Sequence, residues 1–186
     1  MSETDGTGKW VDAGLAELAS AGVDGVRVEV LAERLGVTKG GFYRRFKDRR
    51  ALLDAMLDVW ASGRIAAIEQ QTALNGEAPA KRLRSVIKLY SERQNPQGIA
   101  IELAMRQWAR SDAAAAEAVA RVDAGRMKAV QSLYRGVGHT PFEAEARAMI
   151  FYAFIFGESL LFLGQAPRKR TTLLAACAAA LTEEAL

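Results

Sequence analysis

Basic and aromatic side chains are concentrated between Leu31 and Leu53. No other stretch of the sequence contains residue types that indicate a binding function so clearly. The segment reads LAERLGVTKGGFYRRFKDRRALL, in which seven residues are Lys or Arg and three are aromatic. From Arg34 to Arg50 the seven cations are accompanied by one acid, Asp48, which gives a local net charge of +6. Cations grouped in this way attract a polyanion, and the segment therefore indicates nucleic-acid binding.

The net charge of the whole chain does not by itself indicate nucleic-acid binding. The 186 residues have a formal net charge of +3, so the sequence outside the basic segment sums to −3. Electrostatic attraction is then confined to one region of the surface. The alternative interpretation is a solvated basic helix face, with Phe42 and Phe46 as ordinary core residues.

The elements that position these side chains are predicted to be helices. No strand alternation is visible, and Ala, Leu, Arg and Glu dominate between breaks at Gly or Pro, which predicts an all-α fold of about nine helices. Helix 2, over about residues 27–35, has apolar positions at i, i+3, i+4 and i+7 and ends at Gly36. Helix 3 starts at Thr38 and carries Phe42 and Phe46 one turn apart.

The remaining boundaries follow from caps and breaks. Asp48 is predicted to start helix 4, Ser111-Asp112 to start helix 7, and TPFE at residues 140–143 forms a capping box that starts helix 8. The predicted ranges are 9–21, 48–71, 80–93, 99–110, 111–135 and 140–163 for helices 1, 4, 5, 6, 7 and 8, with helix 9 running to the C-terminus.

Helix 2, the turn at Gly36 and helix 3 together predict a helix-turn-helix, since glycine adopts positive φ without steric cost. In this motif the second helix enters the DNA major groove, and its N-terminal residues reach the base edges. Phe42 and Phe46 would face inward. Lys39, Gly40, Tyr43 and Arg44 would face outward, and Arg45, Lys47, Arg49 and Arg50 would lie near phosphates.

The segment GVTKGGFYRRFKDRRALL resembles the signature of the TetR family of bacterial transcriptional regulators, roughly G-V-S-x-G-T-L-Y-x-H-F-x-x-K-x-x-L. The resemblance covers about residues 9–60. Outside that range the chain agrees with the family only in being helical and of suitable length. The positions that match in type and spacing are Gly36, Val37, Thr38, Gly40, Phe42, Tyr43, Phe46 and Leu52.

The resemblance implies roles for individual residues. Thr38, Lys39 and Gly40 would read bases, and Tyr43 would contact the backbone or a base. Arg49 stands where the family has a phosphate-binding lysine. Arg27 and Arg45 replace a usual Thr and a usual His or Tyr, and both could contact phosphates.

The resemblance also implies a division of the chain. Residues 1–8 would be a disordered N-terminus, residues 9–47 the DNA-binding domain, and residues 48–186 a helical domain for ligand binding and dimerisation. An apolar or amphipathic small-molecule effector would bind in the larger domain. Core packing is the alternative role of the large apolar residues that are candidates for this pocket: Trp60, Tyr90, Met105, Trp108 and Met127.

Helix 8 is apolar on every side from Met149 to Phe156, so all of its faces should be buried. One chain of this size could hardly cover them all, which predicts a homodimer through helices 8 and 9; a fully internal helix is the alternative. The predicted interface residues are Ile150, Ala153, Phe154, Gly157, Leu161, Leu174 and Ala178.

Other functional classes find little support. Cys177 is the single cysteine, which excludes an internal disulfide and fits a cytoplasmic protein. No metal-ligand spacing, cofactor motif, signal peptide or membrane span is visible. A small helical enzyme and an architectural DNA-binding protein remain as rival hypotheses. The sequence favours a dimeric TetR-like regulator, more specifically a repressor that binds an operator and is released by an effector.

Overall fold

A computed structural model describes residues 3–92, 95–160 and 167–181 of the chain. Those ranges contain nine α-helices and no strand, and the predicted all-α fold is confirmed. None of the helices in them is both long enough and apolar enough to cross a membrane. The helices are α1 (Glu3–Gly25), α2 (Val28–Leu35), α3 (Lys39–Tyr43), α4 (Arg49–Thr72), α5 (Pro79–Glu92), α6 (Pro96–Trp108), α7 (Ala113–Gly136), α8 (Pro141–Leu160) and α9 (Pro167–Ala180).

Helix α1 begins earlier than predicted, and its regular helical backbone is interrupted at Gly22, where the sequence predicts its end. It begins at Glu3, inside the segment expected to be disordered, while residues 1 and 2 lie outside the described ranges. At Gly22 the backbone leaves the helical conformation, with φ at 70° and ψ at −177°, and forms a kink. Glycine accepts this conformation, so the chain turns there and adds one more helical turn up to Gly25.

Capping side chains set the starts of the later helices as the sequence predicts. The Asp48 carboxylate accepts the Ala51 amide at 2.9 Å at the start of α4, and Asp112 accepts the Ala115 amide at 3.0 Å at the start of α7. Such bonds satisfy amides that have no partner within the helix. In the capping box of α8 the Glu143 amide donates to Thr140 Oγ1 at 3.3 Å, and the Thr140 amide donates to Glu143 Oε2 at 2.8 Å.

Helix α3 is shorter than predicted, since it ends at Tyr43 and does not include Phe46. Thr38 occupies the N-cap position with extended backbone angles, but its side chain makes no capping hydrogen bond. Gly40 and Gly41 lie in this helix, and each glycine costs about 1 kcal/mol of helix stability relative to alanine. The position of α3 therefore depends on its tertiary packing.

The chain forms two compact units, and α4 and α7 contribute residues to both. The first unit comprises residues 1–64 and 95–122. In it α1 packs against α2 and α6, and the buried side chains include Trp10, Leu18, Leu31, Phe42, Met56, Trp60, Met105 and Trp108. The predicted boundary between residues 47 and 48 stays a prediction, because this unit groups the helix-turn-helix with α6 and part of α4.

The second unit comprises residues 65–94 and 123–186. Helix α5 packs against α8 and α9, and the Tyr134 hydroxyl donates to the Leu181 carbonyl at 2.9 Å. Its core consists of Leu83, Val86, Ile87, Val130, Leu133, Tyr134, Ala144, Ala148, Phe151, Tyr152 and Leu181.

Candidate nucleic-acid interface

The turn of the helix-turn-helix is built on Gly36. This residue closes α2 in the left-handed conformation, with φ 65° and ψ 32°. Its amide donates to the Glu33 carbonyl at 3.0 Å, and the Val37 amide donates to the Ala32 carbonyl at 3.0 Å. These bonds satisfy the last carbonyls of α2 and turn the chain sharply into α3.

Aromatic packing fixes the inner side of α3. Phe42 is fully buried, and its ring meets Trp10 of α1 edge-to-face at 5.2 Å and stacks on Phe46 at 5.3 Å. The prediction that Phe42 and Phe46 face inward is confirmed. Gly41 is also buried, so among the two adjacent glycines only Gly40 lies at the solvent surface.

The outer side of α3 and the segments beside it are exposed. Tyr43 has 60% of its surface accessible, although its ring touches Phe42 edge-to-face at 5.2 Å. Because Phe42 anchors the inner side of α3, the exposed ring of Tyr43 on the outer side is available for contact with a partner. The other predicted DNA-binding residues on this surface are Arg27, Thr38, Lys39, Gly40, Arg44 and Lys47.

Lys39, the first residue of α3, already has an intramolecular partner. Its ammonium lies 2.7 Å from Glu29 Oε1 on α2, ten residues earlier in the chain. The hydrogen bond from Lys39 is the main reason that the pKa of Glu29 lies below its ordinary value. Both side chains are more than half exposed, so Lys39 can exchange this carboxylate for another acceptor.

The arginines that follow α3 are less available than predicted. Arg49 donates from Nε to the Val26 carbonyl at 2.5 Å and from Nη2 to the Val23 carbonyl. The phosphate contact expected of Arg49 stays a prediction, and it would require these hydrogen bonds to the α1–α2 connection to be exchanged. A planar guanidinium can bridge two carbonyls there, which a sequence comparison cannot reveal.

Arg45 and Arg50 are also engaged within the first unit. Arg45 donates to the Gly41 carbonyl at 3.2 Å. Arg50 donates to Asp54 at 2.7 Å and to Asp112 at 2.5 Å. Asp112 also caps α7, and the hydrogen bond from Arg50 is the main cause of the lowered pKa of this carboxyl group. The phosphate contacts expected for Arg45 and Arg50 would require these bonds to be exchanged.

The predicted pocket residues are not brought together in one cavity. Trp60, Met105 and Trp108 are buried in the first unit, and Met127 packs against the core of the second unit. The side chain of Tyr90 lies outside the described part of the chain. Within α6, Arg106 lies 3.0 Å from the buried carboxylate of Glu102.

A groove of about 540 Å³ lies in the second unit, between the end of α4, the start of α5 and the last half of α7. The four predicted pocket residues whose side chains are described do not line this groove, because those side chains pack in or against the cores of the two units. Sequence reasoning missed the groove since its residues are mostly small or polar. It is lined by Ile65, Ile68, Glu69, Thr72, Ala73, Leu74, Pro79, Gly125, Lys128, Ala129, Ser132, Leu133 and Gly136.

One side of α8 is apolar and exposed. Phe142 is 79% accessible, Met149 61% and Ile150 57%, and Leu160 completes the row at 55%. Ala153 lies on this face as well, which we call the α8 face. The opposite side, with Ala144, Ala148 and Phe151, is buried in the core.

The other predicted interface residues differ in their degree of burial. Gly157 and Leu174 are half-buried, and Phe154 is half-buried because it packs against the core of the second unit. Leu161 and the side chain of Ala178 lie outside the described residues. Exposed apolar side chains grouped on one face of a helix are typical of interaction surfaces.

Comparison with known proteins links the helix-turn-helix to one family. Residues 11–56 match the family model described as bacterial regulatory proteins, tetR family. The chain is 46% identical over 48 residues to the tetracycline repressor protein class A from transposon 1721 of Escherichia coli. The match covers 26% of this chain and about a fifth, 22%, of that repressor.

Solved structures resemble the fold over nearly the whole chain. A TetR transcription regulator from Haloarcula marismortui has a TM-score of 0.75 at 16% identity, with 96% of this chain and 97% of that one covered. A transcriptional regulator from Rhodococcus sp. has a TM-score of 0.74 at 20% identity, with 94% and 95% covered. Similarity at this level of identity supports a common fold.

Proposed function

We propose that the chain, whose residues 11–56 match the tetR family of bacterial regulatory proteins, is a transcriptional regulator of this family. More specifically, we propose a repressor that binds a palindromic operator as a homodimer. The main evidence for this proposal is the exposed side of α3, which includes Lys39 and Tyr43. The inner side of the helix is anchored by Phe42, which packs against Trp10. A short helix anchored in this way can enter the major groove. The name of the relative that shares this segment, a tetracycline repressor, favours repression over activation.

The roles proposed for the exposed residues follow from their positions. Thr38, Lys39 and Gly40 stand at the start of α3, where base edges come within reach, and a lysine there suits the O6 and N7 acceptors of guanine. Arg27, Arg44 and Lys47 lie beside the start of α3, where they would contact phosphates of the DNA backbone. Tyr43 would contact the backbone or a base through its hydroxyl.

The first prediction concerns base reading by Lys39. Lys39→Ala is expected to lower affinity for the operator by about 1–3 kcal/mol and to relax sequence preference at one position per half-site. Titrations on operator and on scrambled duplex should therefore show a loss confined to the operator. Equal losses on both duplexes would contradict base reading, and binding of wild-type protein without sequence preference would favour an architectural DNA-binding protein.

We propose that the groove of the second unit receives the effector. Its volume of about 540 Å³ lies within the range of small-molecule sites. Ile65, Ile68 and Leu133 offer apolar surface, whereas Glu69 and Lys128 offer opposite charges. This combination suits an amphipathic molecule. The groove borders the end of α4, and α4 is one continuous helix from Arg49 to Thr72, so a ligand that displaces this end moves the whole helix.

The second prediction concerns coupling between effector and operator. An effector found by screening amphipathic acids and amines for release of the protein from DNA should bind the protein about 5- to 150-fold more weakly when operator is saturating. Ala129→Phe fills the groove and should abolish effector binding but spare DNA binding. Ala124→Phe, at an exposed position of the same helix, is the control. Ligand affinity that is unchanged by operator would contradict the switch.

A further inference from the structure

The ion pair between Glu29 and Lys39 joins the two helices of the helix-turn-helix at the base-reading end of α3. The ammonium and the carboxylate are 2.7 Å apart, and the two side chains are 56% and 62% exposed. The pair thus lies at the surface that DNA would meet. Before DNA binds, Glu29 compensates the positive charge of Lys39.

The surroundings make Glu29 distinctive among the acids near this surface. Asp48, the acid inside the basic segment, uses a carboxylate oxygen to cap α4. Glu33, on the same helix as Glu29 and one turn further along, is exposed. Glu29 is the acid whose hydrogen bond to the reading helix is observed.

From this geometry we infer that Glu29 is a specificity-determining residue, which keeps Lys39 from binding the phosphates of non-cognate DNA. This inference rests on the proposed function. On a non-cognate sequence the Glu29 carboxylate competes with the phosphates for Lys39, and this competition weakens one phosphate contact. On the operator a base acceptor in the right place replaces the carboxylate. Discrimination against wrong sequences arises here from an interaction within the protein that competes with unspecific contacts.

The energies are suited to such a role. An exposed ion pair is weak, so its exchange for a base contact costs the operator complex only about 1.4- to 5-fold in affinity. A phosphate contact adds about 0.9 to the slope of log affinity against log salt concentration. Release of Lys39 from Glu29 should therefore add that slope on non-cognate DNA alone.

The test is Glu29→Gln, which removes the charge with little change in shape. A duplex selected from a random library serves as operator, and a scrambled duplex of equal composition serves as non-cognate DNA. On the scrambled duplex the salt slope should steepen by about 0.9, so that the gain in affinity shrinks about 3.5-fold between 50 and 200 mM salt. On the operator the slope should stay that of wild type.

Two further variants separate pairing from net charge. Glu33→Gln removes the same charge from the same helix and should leave both slopes unchanged. Lys39→Met added to Glu29→Gln should restore the wild-type slope on scrambled DNA, because the effect acts through Lys39. Unfolding midpoints of all variants check that the fold is retained.

The result that overturns the inference is an equal response to Glu29→Gln and Glu33→Gln, an unchanged slope on scrambled DNA, or a steeper slope that persists without Lys39. Wild-type protein that shows no preference for any selected duplex would instead contradict the proposed function itself. The two failures are therefore distinguishable.

Discussion

Ile150→Glu is expected to dissociate the proposed homodimer and to leave the fold of each protomer intact. Ile150 is 57% exposed on the α8 face, so in an isolated protomer the new carboxylate stays in water. In a dimer sealed through this face it would be buried without a partner, at a cost of about 3–5 kcal/mol. A two-fold symmetric interface contains the substitution twice. The dimer dissociation constant should rise more than about 100-fold.

Sedimentation or light scattering over a range of protein concentrations measures this change. Val59→Glu is the matched control, since Val59 is 50% exposed on α4 and also gains a charge. Phe154 is a poorer position for the test because it packs against the core, where a charge would also disturb folding. If Ile150→Glu stays a dimer of wild-type affinity, the α8 face is not the interface.

Arg49→Ala is expected to destabilise the first unit by about 2 kcal/mol, since two carbonyls of the α1–α2 connection lose a charged donor. Arg49→Lys should lose about half of that, because an ammonium lacks the planar fork that bridges two acceptors. Urea unfolding at fixed protein concentration measures both.

The same variants separate a structural role of Arg49 from a phosphate contact. A structural role leaves the salt slope of DNA affinity close to that of wild type. Arg44→Ala, at an exposed position beside α3, should instead flatten the slope by about 0.9 and leave stability unchanged. A slope that falls by that amount in Arg49→Ala, with unchanged unfolding, would return Arg49 to the phosphate contacts.

Features that depend on local sequence were predictable. The turn at Gly36 follows from the steric freedom of glycine, and the caps at Asp48 and Asp112 follow from short side chains that accept nearby amides. The inward aromatic residues follow from helical spacing. All of these interactions join residues within a few positions of each other, so a linear pattern contains them.

Features that depend on the meeting of distant segments were not predictable. Arg49 bonds to carbonyls more than twenty residues earlier, and Arg50 pairs with Asp112, 62 residues later. Consecutive basic side chains look equivalent in a sequence. In the tertiary structure some of them are exposed to solvent, and others form hydrogen bonds within the protein. The groove was missed for a related reason, since its lining of mostly small or polar residues comes from segments of α4, α5 and α7 that are distant in the sequence.

The most direct test of the central claim is selection of bound duplexes from a random library by the purified 186-residue chain, followed by measurement of the stoichiometry of the complex. A homodimer that presents two copies of α3 should enrich an inverted repeat. Its half-site centres should be separated by about 34–36 Å or a multiple of this distance, with two protomers per duplex. Enrichment of no sequence, or of a single half-site bound by one protomer, would contradict the account.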